Sequence, residues 1–524
     1  MDRETNADSI RALEEQIREH ERVIIQLKRT RNSRLNVSKL PPEVLGKIFH
    51  WNVTLKGDFD GLDKGSHNFL FVCHHWFEVA SRTPEIWSFW GNTPKDWARW
   101  CRRSETAPLD LVLGYDDYET RYFDANLRNA LKDRVTRDAI RRVHLMPTTS
   151  KHLSSIIALL ASNHEELRSN SIESFVLLNH CAPPVDVSAF FARYHFPKLR
   201  RLELTTCKIS SSSWDHLASR TSVLTTLVLD FSSRIPIPST PQLLLILASN
   251  PALQKVKFLG FAVPYHDGGR PSFRVQLRHL RKLRLEGNLR YIIGLLHQLD
   301  YPRNMKLTLG PHDFGVADIS RTIGPYLRDH LQRYDRPRNG LHLFISSGYD
   351  ANGTWAITLC VGDAGGVNFS APARIGTNAF VKIDMLLKVP SSDVSGRTIL
   401  DFITHVPREE VVYFQTFLNP VPMEDIPTQF PNVKALSLDK IPLFAAFPSR
   451  DVVGDGRIFP SLEHVLLVNM VVDHGDWGPL MTFLARRVSS GNRLDTLMFF
   501  DSPPMSPEVI EGIRGMVREL KLGS

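Results

Sequence analysis

The chain has 524 residues, of which 42% are hydrophobic and 23% are charged. This length exceeds what one compact core accommodates, so it predicts several domains or a repeat array. The formal net charge of +8 is small for the length. It permits an acidic partner and argues against nucleic-acid binding as the main function.

The cellular compartment is predicted from three features. No apolar run reaches the length of about eighteen residues that a membrane helix needs, so no membrane association is expected. The first residues are charged and polar, unlike a secretory signal. The five cysteines are widely spaced and form no CxxC pair. These features predict a location in the cytoplasm or nucleus, where cysteines stay reduced.

Residues 9–28 predict a long amphipathic helix. Apolar residues recur at spacings of three and four, and a histidine occupies the remaining position of the stripe: Ile10, Leu13, Ile17, His20, Ile24 and Leu27. The pattern covers about three heptads. Two interpretations remain open: the helix pairs with a second copy of the chain, or it packs on the neighbouring part of the same chain.

Residues 35–104 predict a small all-helical module. One helix is expected after Pro41 and Pro42, because proline is tolerated in a first helical turn. A second helix is expected around Trp76, and Pro84 begins a further segment that contains Trp87. So short a module buries too little to fold well alone. Part of its apolar surface is therefore covered by another part of the chain or by another protein.

The module resembles the F-box, in particular the F-box-like module of large fungal families. The resemblance covers about a tenth of the chain and rests on the following residues: Leu40, Pro41, Glu43, Leu45, Ile48, Phe49, Val72, Cys73, Trp76, Ala80 and Trp87. It implies a three-helix unit that docks on a Skp-type adaptor, which joins it to a cullin-based ubiquitin ligase. The insert at 53–68 is longer than in the simplest F-boxes, and its glycines and aspartates predict a solvated loop.

The resemblance also implies which side chains contact the adaptor. These predicted adaptor-binding residues are Leu40, Pro41, Leu45, Ile48, Phe49, Val72, Cys73, Trp76 and Trp87. The alternative interpretation is that they form an ordinary core, and the two roles can overlap.

Residues 105–514 contain a recurring pattern, LxxLxL. Its copies begin at residues 172, 199, 224, 253 and 280, and again at 433, 462 and 494. The pattern resembles a leucine-rich repeat, which implies an irregular α/β solenoid whose units gain a core by stacking. Outer helices are expected at 214–219, 242–248 and 291–299. An unrelated α/β arrangement is the alternative.

The region from about 305 to 420 interrupts the repeat pattern. Strands are predicted at 341–345, 355–359 and 380–384, from their alternating apolar residues. An inserted set of hairpins and a run of degenerate repeats both remain open. The last ten residues, 515–524, are expected to form a tail.

The residues between the repeat leucines predict a binding face. Four basic side chains fall on consecutive units, at Lys255, Lys257, Lys282 and Arg284. The equivalent positions near the C-terminus are mostly apolar and include His464, Leu466, Val468, Met498 and Phe500. Such a face suits an extended acidic or phosphorylated peptide. The alternative is an ordinary solvated strand face.

Catalytic motifs are missing from the sequence. It contains no GxxxxGK[ST], GxSxG or HExxH pattern, and Asp473-His474-Gly475-Asp476 lacks a second histidine at ligand spacing. No enzymatic activity, cofactor or metal is therefore expected. The favoured function is a substrate receptor of a ubiquitin ligase. The alternatives are a repeat scaffold outside any ligase and a nucleic-acid binder that uses the basic positions.

Overall fold

The computed structural model describes most of the chain, in segments. The described residues are 2–55, 68–90, 103–104, 107–113, 140–146, 153–154, 156–158, 160, 171–179, 183–231, 238–261, 274–302, 305–312, 316–333, 341–349, 355–363, 379–387, 403–417, 429–447 and 459–523. The predicted loop at 53–68 falls largely outside them. The chain divides into two compact units, Met1–Val223 and Leu224–Ser524.

Six helices and seven strands of the first unit are described from end to end. The helices are α1 Asp2–Ser33, α2 Pro42–Leu55, α3 His74–Ser81, α4 Pro84–Trp87, α5 Ser188–Arg193 and α6 Ser211–Arg220. The strands are β1 Phe89–Trp90, β2 Leu109–Leu113, β3 Ile140–Leu145, β4 Ser174–Leu178, β5 Val185–Asp186, β6 Arg201–Thr205 and β7 Cys207–Lys208. Short 3-10 helices occur at Asn36–Lys39 and Asn68–Phe71.

The second unit contains longer strands and six more described helices. The helices are α7 Thr240–Ser249, α8 Leu289–His297, α9 Val316–Arg333, α10 Leu443–Ala446, α11 Gly478–Ser489 and α12 Pro507–Met516. The strands are β8 Thr226–Asp230, β9 Lys255–Phe261, β10 Val275–Gln276, β11 Lys282–Asn288, β12 Leu299–Asp300, β13 Lys306–His312, β14 Leu341–Tyr349, β15 Trp355–Asp363, β16 Ala379–Leu387, β17 Val411–Phe417, β18 Ala435–Asp439, β19 His464–Val468, β20 Thr496–Phe500 and β21 Glu519–Leu522.

The first unit combines the helical module with a parallel sheet. Its strands are hydrogen-bonded in the order β1-β2-β3-β4-β6, all parallel. Asp110 on β2 is almost fully buried and forms ion pairs with Arg141 and Arg142, each at 2.9 Å. The hydrogen bond from Arg141 to this carboxylate raises the pKa of the guanidinium. A buried carboxylate requires such partners, so these contacts help to fix the register of β2 against β3.

The second unit is built on one large sheet. Its strand order is β8-β9-β11-β13-β16-β15-β14-β17-β18-β19-β20-β21. Adjacent strands are parallel except at β15, which runs antiparallel to both neighbours. The segments predicted at 341–345, 355–359 and 380–384 are confirmed as strands. They form an antiparallel meander within the parallel sheet. Its last strand, β16, pairs with β13, and its first strand, β14, pairs with β17.

Helices precede or follow many of the parallel strands, as the sequence predicts. The expected helices at 214–219, 242–248 and 291–299 correspond to α6, α7 and α8. Side-chain caps fix their starts. For example, Ser239 and Gln242 form a reciprocal capping box at the start of α7, which satisfies backbone N–H groups that a helix leaves unpaired.

A repeated turn follows the strands near the C-terminus. The residue immediately after β18, β19 and β20 has a positive φ in each case: 55° at Lys440, 47° at Asn469 and 46° at Asp501. Only a few per cent of residues other than glycine adopt this conformation. Its recurrence indicates that these strands end in the same way and that successive segments of the chain leave the sheet along similar paths.

One expectation about the C-terminus is wrong. Residues 515–524 do not form a tail, because Glu519–Leu522 is strand β21 and pairs in parallel with β20. The alternation of Leu520 and Leu522 supplies the strand pattern that a purely compositional interpretation overlooks. The observed fold is mixed α/β with large parallel sheets. None of the described helices has the length and apolar content required to cross a membrane.

Candidate interaction sites

The helical module has a closed core of its own. Leu45 and Phe49 on α2 are 1% and 2% exposed. The Phe49 ring stacks on Phe69 with centroids 4.5 Å apart and lies 5.0 Å from the ring of Trp76. Val112 of strand β2 joins the same cluster. The module is therefore packed against the sheet of its own unit.

Trp87 completes this core. Its indole is 2% exposed, and Nε1 donates a hydrogen bond of 2.7 Å to the carbonyl oxygen of Ala80 at the end of α3. The guanidinium of Arg103 lies 4.3 Å from the centre of the indole ring, a distance typical of a cation–π contact. Trp87 thus connects its own helix, α4, with α3 and with the segment that contains Arg103.

The predicted adaptor-binding residues divide by burial into three groups. Leu45, Phe49 and Trp87 are core residues, so the expectation that they contact a partner directly requires correction. Their apolar surface is already used within the chain. The other predicted residues retain accessible surface: Leu40, Cys73 and Trp76 are half-buried, whereas Pro41, Ile48 and Val72 are exposed.

A second apolar stripe runs along α2. Val44, Ile48 and Trp51 are 43%, 45% and 67% exposed, and their spacing of four and three places them on one side of the helix. The buried residues Leu45 and Phe49 lie on another side. The helix therefore carries apolar side chains in two directions, and only one of these faces is buried.

The sequence interpretation missed part of this stripe. It included Ile48 among the predicted adaptor-binding residues but neither Val44 nor Trp51. The sequence contains two overlapping i, i+4 pairs, Leu45 with Phe49 and Val44 with Ile48, and the second pair identifies the second face. Further exposed apolar side chains lie at the end of the 3-10 helix before α3 and immediately after it, where Phe71 and Val72 are 87% and 56% exposed.

The large sheet of the second unit carries the predicted basic residues on neighbouring strands. Lys255 on β9 pairs with Lys282 on β11, which pairs with Lys306 on β13. Two residues further along β11, Arg284 pairs with Lys257 on β9 and with Thr308 on β13. We call these five basic residues the basic row: Lys255, Lys257, Lys282, Arg284 and Lys306.

The strand alternation explains why these side chains share one face. The intervening residues, including Val256, Leu283 and Leu307, are almost completely buried, and successive side chains of a strand point to opposite faces. The sequence interpretation placed the first four members correctly on adjacent strands. It missed Lys306 because this residue lies at the start of the region treated as irregular.

The members of the basic row influence one another electrostatically. Burial lowers the pKa of Lys282, and the nearby charges of Lys255, Arg284 and Lys306 lower it further. Arg284 also forms an ion pair with Glu286 on its own strand. The repulsion among the cations favours an added negative charge beside them.

The face is apolar farther along the same sheet. Leu466, Val468 and Met498 form a separate buried cluster, and the partly buried Phe500 packs against it. In the strand register Leu466 pairs with Met498, and Val468 pairs with Phe500. These residues alternate with Leu467 and Phe499. The basic and apolar ends predicted from the sequence therefore belong to one sheet.

An aromatic pair lies between these two ends. His342 on β14 stacks on Tyr413 on β17, with ring centroids 4.3 Å apart. Burial lowers the pKa of His342 to about 4 and raises the pKa of Tyr413 to about 12. Both side chains are therefore neutral at pH 7, and the centre of the sheet carries no charge from them.

Comparison with known proteins adds no family assignment. Neither the protein-family models nor the curated protein sequences give a match for this chain. Any functional argument consequently rests on the residues and contacts described above.

Proposed function

We propose that the chain is a substrate receptor of a cullin-based ubiquitin ligase. In this proposal the helical module binds a Skp-type adaptor, and the large sheet of the second unit binds the protein to be modified. The single observation that carries the proposal is the exposed stripe of Val44, Ile48 and Trp51 on a helix whose other face already belongs to a closed core.

The exposed stripe supports docking for an energetic reason. Water-exposed apolar side chains at helical spacing contribute little to the stability of the module, whereas burial against a partner gains roughly 25 cal/mol per Å². The stripe includes Trp51, and tryptophan often dominates the binding energy of protein interfaces. The F-box resemblance identifies the partner in this proposal, and the half-buried Leu40 and Trp76 are further contacts within it.

The parallel-sheet region is proposed to be an irregular leucine-rich-repeat-like solenoid. Two observations support this. Consecutive LxxLxL segments become adjacent parallel strands, as in the pairing of Val256 with both Leu227 and Leu283. The turn with positive φ after β18 also recurs after β19 and β20. The meander at β14–β16 then interrupts the array.

The proposed target segment is acidic or phosphorylated at one end and apolar at the other. A phosphate or carboxylate would neutralise the basic row, and charge-assisted hydrogen bonds from Arg284 and the lysines would hold it. Apolar residues of the target would contact Phe500, the partly buried side chain that packs against the cluster of Leu466, Val468 and Met498. The chain itself performs no chemistry in this proposal. It raises the effective concentration of a target lysine near the conjugating enzyme.

A scaffold outside any ligase is the second candidate. The observation that favours it is the packing of the module against Val112 of its own unit. A module that serves only to cover the sheet of its own unit would make such a contact. The two candidates differ in one respect: a scaffold has no specific affinity for a Skp-type adaptor.

Co-purification of the full chain with a Skp-type adaptor tests the proposal. The wild-type chain should retain the adaptor, and a double variant with Ile48→Ser and Trp51→Ser should lose it by roughly thirtyfold in affinity, equivalent to about 2 kcal/mol. Both substitutions lie on the exposed face, so the module should remain folded.

The matched control is Arg82→Ala, which changes an exposed residue immediately after α3. This variant should bind the adaptor as the wild type does. If the wild-type chain fails to bind any Skp-type adaptor, or if the double variant binds equally well, the receptor proposal is refuted and the scaffold interpretation gains support.

A further inference from the structure

Helix α1 carries an apolar stripe that the rest of the chain leaves exposed. Ile10, Leu13, Ile17, Ile24 and Leu27 are between 50% and 64% exposed. The sequence left open whether this helix packs on the neighbouring module, and this degree of exposure argues against such packing. In water, a long amphipathic helix gains most of its stability by burying its apolar face.

The stripe follows the heptad pattern of a two-stranded coiled coil. With Ile10 at position a, every a position up to residue 24 is isoleucine, and the d positions are Leu13, His20 and Leu27. β-Branched residues at a combined with leucine at d favour parallel dimers over higher oligomers. One polar residue at a core position is a common means of fixing the register.

The opposite face of the helix is suited to water. Arg22 and Glu19 form an ion pair of 3.1 Å there, and the guanidinium of Arg18 donates a hydrogen bond of 3.2 Å to the carbonyl oxygen of Glu14. Arg18, Glu19 and Arg22 occupy the outer heptad positions b, c and f. The charged residues are thus separated from the seam, as pairing requires.

The charges beside the seam favour a parallel arrangement. In a fully overlapped antiparallel pair, position e faces position e of the partner, which brings Glu14 near a second Glu21 and creates repulsion between like charges. In a parallel pair, position g faces the following e position of the partner. Gln16 then faces Glu21, and Val23 faces Lys28, with no like-charge contact.

We propose that α1 pairs in parallel and in register with α1 of a second copy of this chain. The seam consists of Ile10, Leu13, Ile17, His20, Ile24 and Leu27. Pairing gives the assembly two helical modules and two large sheets, so a target with two binding segments is held more strongly than by one chain. The inference does not depend on binding of an adaptor.

Sedimentation of the full chain over a range of concentrations tests this proposal. The wild type should dimerise, and Ile17→Asp combined with Ile24→Asp should weaken dimerisation at least a hundredfold, because two layers of the seam then contain opposed carboxylates. His20→Leu should strengthen it about tenfold, because it removes the polar layer. The control Arg18→Ala, on the outer face, should leave the association unchanged.

Cysteine cross-linking determines the register independently of any loss of folding. Ile10→Cys should form a disulfide between two copies under mild oxidation, because equivalent a positions adjoin in a parallel pair. Arg18→Cys should cross-link no more than the wild type. A monomeric wild-type chain would overturn the proposal. A mixture of Ile10→Cys and Leu27→Cys chains that cross-links only between the two variants would overturn the parallel register.

Discussion

Helices α2 and α8 each bury one apolar side, but only α2 also carries apolar side chains on an exposed side. In α8 the apolar residues lie on one buried side: Leu289, Tyr291, Ile292, Leu295 and Leu296. In α2 a buried side is accompanied by an exposed apolar side that includes Ile48 and Trp51. The comparison shows that one helix beside a sheet has its apolar side chains buried within its unit, whereas α2 leaves an apolar face exposed, which the proposed function assigns to a partner.

The largest expected effect separates the two sides of α2. Phe49→Ala or Trp87→Ala should lower the free energy of unfolding of the module by about 3–5 kcal/mol, because each leaves a cavity in a closed core. Ile48→Ala should change it by less than about 1 kcal/mol, because the side chain is half exposed. Native-state hydrogen exchange of the amides of α2 measures both. Equal effects would mean that the two faces are equally important for folding.

Charge reversal on the basic row is expected to produce the next largest effect. Lys282→Glu combined with Lys306→Glu should reduce binding of a phosphorylated target peptide by roughly a hundredfold, or about 2.7 kcal/mol. Fluorescence anisotropy with labelled peptides measures this change. The control is Arg290→Glu, an exposed residue on α8. If the double variant binds as strongly as the wild type, the basic row does not recognise the target.

Acidification should destabilise the second unit through His342. Burial lowers the pKa of this side chain from 6.5 to about 4, so between these values the unfolded chain binds a proton that the folded chain does not. The contribution to stability is complete above pH 6.5 and falls as the pH decreases toward 4, by at most about 1.4 kcal/mol per pH unit. Urea denaturation at several pH values measures the slope.

The variant His342→Phe keeps an aromatic ring beside Tyr413 and removes the titration. It should therefore show a shallower decrease in stability over the same pH interval. An unchanged slope would assign the acid sensitivity of the second unit to groups other than His342.

The smallest effect concerns a single charge. Lys306→Ala should raise the pKa of Lys282 toward its ordinary value, because the positive charge of Lys306 is one of the causes that lower it. NMR titration of the lysine side chains measures this shift. Lys521→Ala, on strand β21, is the control and should leave the pKa of Lys282 unchanged.

Much of the fold follows from the sequence because the strand signal is local. Alternation around Leu283 and Leu436 predicts strands, and the same alternation correctly separates the buried leucines from the basic row. The reversed order of β14, β15 and β16 could not be predicted. It depends on which strand edge is available to β16, a long-range property that local spacing does not encode.

The exposed apolar face of α2 was predicted only in part for a related reason. Periodicity identifies the apolar residues of α2, but it does not show which of two adjacent faces the chain covers. Leu45 is buried in a cluster to which Phe69, Trp87 and Val112 contribute from separate segments. Val44 remains exposed although it is the preceding residue. Tertiary contacts therefore distinguish the buried face of α2 from its exposed face, which helical spacing alone cannot do.

Calorimetric titration of the full chain with a purified Skp-type adaptor tests the central claim most directly. The account predicts binding with a negative heat-capacity change, the signature of buried apolar surface. It also predicts a smaller heat-capacity change and much weaker binding when Ile48 and Trp51 are both replaced by serine. Absence of binding by the wild-type chain, or identical titrations for the two proteins, would contradict it.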